Sequence, residues 1–222
     1  MDALSLPGGV TLLPGAPGAP VIYAHLEQSE AERVQPALEG RAALALLSCD
    51  WNRDLSPWPA PKAFKGGEDF SGGAEAHLKH IVETVIPAAE AALGYEPPWR
   101  GIAGYSLAGL FAVYALWKCD RFRRAASMSG SLWYDGFGAW LQETAPAAAP
   151  DYVYFSLGDR EPRARNQRMA AVGTCTGDAV SLLRKMGVPV DFEWNTGGHF
   201  DDPEGRVLRG ILRMIAYRPA AE

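Results

Sequence analysis

The stretch Trp99-Arg-Gly-Ile-Ala-Gly-Tyr-Ser106-Leu-Ala-Gly-Leu-Phe-Ala-Val-Tyr-Ala-Leu-Trp117 decides how the chain is read. It spells a short apolar strand, a sharp turn carrying Ser106, and a helix apolar on nearly every face. That is the pattern of a nucleophile elbow. Such a turn forces its serine into strained backbone angles and lifts the hydroxyl clear of the sheet edge. Neighbours two residues away must be small, and here they are Gly104 and Ala108, followed by Gly109. Ala108 departs from the usual glycine. A helix beginning at Leu107 aims its free N–H groups and positive dipole end at the place where an oxyanion would form. The plainer alternative is a serine that only caps a buried helix. The rest of the chain has to decide between them.

Working outward, short apolar runs recur on both sides of this stretch. Val10–Leu13, Val21–Leu26 and Ala43–Ser48 precede it; Ala125–Ser129, Tyr152–Leu157 and Val188–Trp194 follow. Between them lie helical patterns at Ser29–Leu38, Glu75–Leu93, Phe137–Thr144, a segment through Val180 and Leu183 ending at Gly187, and Glu204–Tyr217. Pro87 predicts a kink in the long second helix. Residues 49–73 read as a long irregular loop, because its prolines oppose regular structure. Loops of that length are usually functional. Alternating strands and helices imply an α/β fold, with a mostly parallel sheet covered by helices on both faces. Residues 1–222 are expected to form a single domain, with 1–20 as a Gly/Pro-rich edge segment.

Composition narrows the function. The chain has 222 residues, 48% hydrophobic, enough for one sizeable core. A net charge of −5 gives no general affinity for nucleic acid or membrane surface, and neither is an expected partner. Cys49, Cys119 and Cys175 are widely spaced and lack metal-ligand pairing, which fits a reduced, cytoplasmic setting. The N-terminal residues carry no signal-peptide pattern. No run is long and apolar enough for a membrane span. Assembly, as a monomer or a homodimer, stays open.

In parallel sheets chemistry collects at the carboxyl ends of the strands. Ser106, Asp159, Glu161 and His199 all fall just beyond predicted strands, as do His25 and the 51–58 segment. A serine hydroxyl needs a base, and His199, after two glycines, is the best candidate. The base needs a carboxylate to fix its tautomer. Glu161 is preferred for its reach and for the stiffening Pro162, and Asp159 is a rival. The order serine, acid, histidine is that of an α/β-hydrolase. Leu107 N–H and Leu26 N–H are candidate oxyanion donors. Trp51, Arg53, Trp58, Trp133 and His25 are candidate substrate contacts. His77 and His80 share a helix face without a third ligand, so a solvated face is expected rather than a metal site. Arg160, Arg163, Arg165 and Arg168 are expected to form a solvated charged face.

Taken together, Asn52-Arg-Asp-Leu-Ser-Pro-Trp58, Gly104-Tyr-Ser-Leu-Ala-Gly109, Ser129-Gly-Ser-Leu-Trp-Tyr134, Ser156-Leu-Gly-Asp-Arg-Glu161 and Gly197-Gly-His199 resemble the esterase D-like α/β-hydrolases, which include trilactone siderophore esterases. The resemblance runs from Val21 to Tyr217. It implies hydrolysis of a small-molecule carboxylic ester through an acyl-enzyme, without metal or other cofactor and without a large lid. By position Ser106 matches the nucleophile, His199 the base, and Glu161 falls near the acid. Small or aromatic acyl esters are favoured, with a siderophore lactone or a thioester as options. Two other readings use the same residues: a catalytically inactive binding protein on a hydrolase scaffold, and an acyltransferase that prefers an alcohol acceptor to water.

Overall fold

A computed structural model describes residues 3–219. The strands are β1 (Leu4–Leu6), β2 (Val10–Leu13), β3 (Val21–Ala24), β4 (Ala43–Leu47), the short pair β5 (Pro59–Ala60) and β6 (Phe70–Ser71), β7 (Arg100–Tyr105), β8 (Arg124–Met128), β9 (Tyr152–Gly158) and β10 (Val190–Asn195). Eight of them build one sheet in the order β1-β2-β4-β3-β7-β8-β9-β10. From β4 to β10 every pairing is parallel; β2 runs antiparallel to β4, and β1 antiparallel to β2. β1 has no counterpart in the sequence reading. Gly8 and Gly9, both at positive φ, make the turn that returns it along β2.

The central strands are buried on both faces, which is why they read as unbroken apolar runs. Successive side chains point to opposite cores. Ala43, Ala45 and Leu47 join the core that also takes in the helices α3 (Ala74–His80), α4 (Ile86–Leu93), α5 (Leu107–Lys118), α6 (Phe137–Glu143) and, after the short α7 (Gln167–Ala170), α8 (Val172–Lys185). Leu44 and Leu46 face the other core, formed with α1 (Gln28–Val34) and α9 (Pro203–Ala216). Every residue of α5 except Lys118 is buried, which accounts for its apolar circumference.

Two expectations are corrected. The 49–73 segment is not irregular throughout: Asp50 accepts the Arg53 N–H and caps the short helix α2 (Trp51–Asp54), and β5 pairs with β6. Between α3 and α4 the helix does not simply kink at Pro87. Residues Ile81–Val85 form a π-helical turn, and α4 restarts with Pro87 at its beginning, where the missing N–H is tolerated. Among the described residues no helix is long and apolar enough to cross a membrane.

Candidate active site

Ser106 sits at φ 57°, ψ −120°, between the end of β7 and the first residue of α5. This positive-φ conformation lies outside even the left-handed helical well, and an L-residue enters it only under compulsion. The compulsion is local packing. Ser106 N–H donates to Met128 O (3.0 Å), while its own carbonyl accepts from Gly109, Leu110 and Ser131 N–H. A Cβ on Gly104 would lie well inside 3.0 Å of the Ala108 backbone and Cβ, so the tight turn excludes any side chain there. Ala108 in place of the usual glycine is accommodated, fully buried.

The strand order β7-β8-β9-β10 brings three more loops to Ser106. His199, on the turn after β10, places Nε2 3.0 Å from Ser106 Oγ. Its Nδ1 lies 2.8 Å from Glu161 Oε2. Glu161 begins a short 3-10 turn after β9 and is 5% exposed. Its other oxygen, Oε1, accepts from Gly158 N–H (2.7 Å), Ser129 Oγ (2.6 Å) and Arg206 Nη1 (3.1 Å). Burial pushes this carboxyl up, but donors from His199, Ser129 and Gly158 outweigh it and hold Glu161 below its ordinary value. An ionised Glu161 favours a proton on Nδ1, leaving Nε2 as the acceptor facing Ser106.

Asp159 occupies a different post. Its Oδ1 accepts the Gly197 N–H (2.9 Å), while the Asp159 and Arg160 N–H groups donate to Asn195 O and Gly197 O. It ties the acid loop to the histidine loop and does not contact the His199 ring. Gly197, at φ 107°, supplies the backbone shape this junction needs.

Sequence reading overlooked Arg206. It is fully buried on α9 and donates to Glu161, to Ser129 Oγ (2.9 Å), to Tyr105 Oη (3.2 Å), and to the carbonyls of Thr196 and Gly198. It is the positive partner of Glu161 and also holds the His199 loop. A signal was present: Arg206 is in phase with Val207, Gly210, Ile211 and Met214 on the apolar stripe of α9, where a charge needs a buried partner. Ser129 (φ 48°) and Tyr105, whose hydroxyl donates to His199 O (2.6 Å), were also missed.

A cavity of about 240 Å³ opens over Ser106 and His199. Trp51, Phe64, Phe70, Trp133, Met169 and Phe200 give it an apolar wall. Trp51 and Trp133 therefore reach the pocket. Trp58 does not. It donates to Asp135 O and packs with Tyr134, Phe137 and Trp140 in an aromatic cluster. Arg53 is also absent from the lining and pairs with the adjacent Asp54 (2.7 Å). His25 turns away into the core against His77 and Phe111. Leu107, as the first residue of α5, has an N–H without a partner inside the helix, and it lines the pocket. Leu26 follows β3, and extending the Ala24–Ala103 register sets it level with Tyr105, one residue short of Ser106.

Two charge expectations also change. Arg168 is no solvated cation: it donates to Pro61 and Lys62 carbonyls, pairs with Asp135, and lies over the Phe70 and Trp133 rings. It pins the rim of the pocket. His77 is buried, and only His80 turns outward, to Gly8 O.

A parallel sheet with a strained serine elbow, faced by a histidine and a buried carboxylate, defines an α/β-hydrolase. Comparison with known proteins narrows this. Residues 48–199 match the esterase family described as "Putative esterase", more than half of the chain, and the chain belongs to that family. A curated relative, an uncharacterized protein YbbA of Bacillus subtilis, is 28% identical over 158 residues; the match spans 66% of this chain and 63% of that protein. Among solved structures, the siderophore hydrolase EstA from Aspergillus nidulans superposes with a TM-score of 0.69 at 18% identity, covering 93% of this chain and 89% of that one. An IroE-like serine hydrolase from Shewanella oneidensis gives 0.78 at 14% identity, covering 96% and 79%. At these identities the two structures speak to the fold.

Proposed function

We propose that the protein is a serine esterase that cleaves a small carboxylic ester, with an aromatic or apolar acyl group, through an acyl-enzyme. The observation that carries this is the unbroken line from Ser106 Oγ to His199 Nε2 (3.0 Å) and from His199 Nδ1 to Glu161 (2.8 Å). In this reading Ser106 attacks the ester carbonyl and His199 takes its proton on Nε2. Glu161 stabilises the imidazolium through Nδ1. The Leu107 N–H, with the loop at Leu26 as the source of a second donor, holds the developing oxyanion. His199 then passes its proton to the leaving alcohol, and a water activated by the same nitrogen releases the acid. The apolar wall of Trp51, Phe70, Trp133 and Phe200 supports the choice of acyl group.

Hydrolysis of p-nitrophenyl butyrate by the wild type and by Ser106→Ala tests the proposal. The variant should lose at least about 10³-fold in kcat while keeping its circular dichroism spectrum. Equal turnover by both proteins would remove Ser106 from the mechanism. If neither turns over and a fluorophosphonate fails to label Ser106, the chain is a binding protein. Transfer to added alcohol in preference to water would make it an acyltransferase.

A further inference from the structure

His25, Cys49 and His77 lie far apart in sequence and meet beside the hydrolase site. β3 and β4 are parallel neighbours, with Ala24 level with Leu46, so His25 falls level with Leu47 and Cys49 lies two residues further along at the same edge of the sheet. His77, on α3, comes down onto them. One ring nitrogen from each histidine and the Cys49 Sγ all lie within 4.8 Å of one another. We propose that these three residues form a binding site for a divalent transition-metal ion of the zinc class, with a fourth position open to solvent.

The donor set is the first argument. Two imidazoles and a thiolate suit zinc and its neighbours, and exclude calcium or magnesium. Geometry is the second. The two Nε2 atoms face each other at 2.9 Å. A tetrahedral ion needs about 3.3 Å between two nitrogens and about 3.5 Å between nitrogen and sulfur. The nitrogens need to part by a few tenths of an ångström, and the sulfur, now within 4.8 Å of both, to stand at about 3.5 Å.

The third argument is enclosure: both imidazoles are buried, His25 at 4% and His77 at 8% exposure, and their Nε2 atoms face each other away from the Ser106 pocket. The field is the fourth. Asp50, Asp54 and Glu27 surround Cys49, against the single positive charge of Arg53, and Asp54 also acts on both histidines. On binding, the metal displaces the thiol proton to solvent and the thiolate becomes a ligand. An entry path exists: a cavity of about 330 Å³, separate from the one over Ser106, is lined by His25, Cys49, Glu27, Glu30 and Trp51. Sequence spacing hid the set, because it paired His77 with His80, which points outward to Gly8.

The test uses the full chain, freed of metal by chelator and titrated with Co²⁺ alone. The expected result is one equivalent bound, with a thiolate-to-cobalt charge-transfer band and the intense visible bands of tetrahedral cobalt, both displaced by Zn²⁺. Cys49→Ser should abolish the charge-transfer band, and Cys49→Ser and His77→Gln should each weaken binding at least about tenfold. Cys119→Ser and Cys175→Ser should leave both unchanged. Zn²⁺ should raise the thermal midpoint of the wild type and of Ser106→Ala, and not that of Cys49→Ser. Since Ser106→Ala retains the site, this outcome is independent of the esterase reading. Absence of saturable one-equivalent binding, or a cobalt spectrum that Cys49→Ser leaves intact, overturns the proposal. Cys49 is half-buried, so its serine variant decides the matter even where His77→Gln fails to fold.

Discussion

Replacing Arg206 by methionine removes a fully buried cation while keeping most of its volume. Glu161 then keeps its charge in the core with only His199, Ser129 and Gly158 as donors. The carbonyls of Thr196 and Gly198 also lose their guanidinium partner. Breaking a buried ion pair from one side typically costs about 3–5 kcal/mol, because a charge is left uncompensated. Against a total stability of about 5–15 kcal/mol, that is a large fraction. Urea unfolding at neutral pH of the wild type, Arg206→Met, Glu161→Gln and the double variant measures it. Arg206→Met should lose about 3–5 kcal/mol, and the double variant should recover about 2 kcal/mol relative to the sum of the singles, as the orphaned charge is gone. A loss below about 1 kcal/mol, or additivity of the two substitutions within about 0.5 kcal/mol, would refute the claim that Arg206 is the countercharge of buried Glu161.

Three further outcomes follow, two from the same site and one from α8. Glu161 has a folded-state pKa below its ordinary value of 4.5, so its contribution is complete above that value and disappears as pH falls through it. The gap in unfolding free energy between wild type and Glu161→Gln should therefore be constant near neutrality and shrink as pH falls below 4.5 toward the lower folded-state value; a gap that widens on acidification contradicts the assignment. Gly104→Ala should destabilise by about 1–3 kcal/mol, since its Cβ meets the Ala108 backbone, which cannot move without opening the elbow. Gly177→Ala, in the middle of α8 with nothing within 4 Å, should stabilise by about 0.5–1 kcal/mol. Thermal unfolding of the two variants reads both signs, and equal effects would show that the crowding at Gly104 is unimportant.

Much of the sheet was legible because a strand buried on both faces has nowhere to put a polar residue. Ala43–Leu47 and Tyr152–Gly158 announce themselves for that reason. The reach of the site loops was legible too, since Ser106 and Glu161 each follow such a run and His199 follows the alternating edge strand β10. What sequence could not convey is the direction of a side chain on an irregular segment. Trp51 and Trp58 lie seven positions apart, yet one lines the pocket and the other donates to Asp135 O within a half-buried aromatic cluster. Arg53 and Arg168 show the same limit, with the more distant of the two fixing the rim. α2 escaped notice because Asp50 caps it within a stretch whose prolines suggested no helix at all. Arg206 was hidden by company: α9 also carries Arg209 and Arg213, both at least partly exposed, and only its phase relative to the apolar stripe sets it apart.

That the countercharge of Glu161 resides on α9 orders events during synthesis. A chain emerging from the ribosome exposes Ser106, then Glu161, then His199, and still lacks Arg206. Until α9 docks beneath β7, β8 and β9, the acid has no buried cation and the histidine loop has no clamp. A nascent or truncated chain that ends before this helix therefore carries the three proposed catalytic residues without that cation and clamp. On the proposed reading, the last helix of the described chain is the late arrival that braces the other three loops.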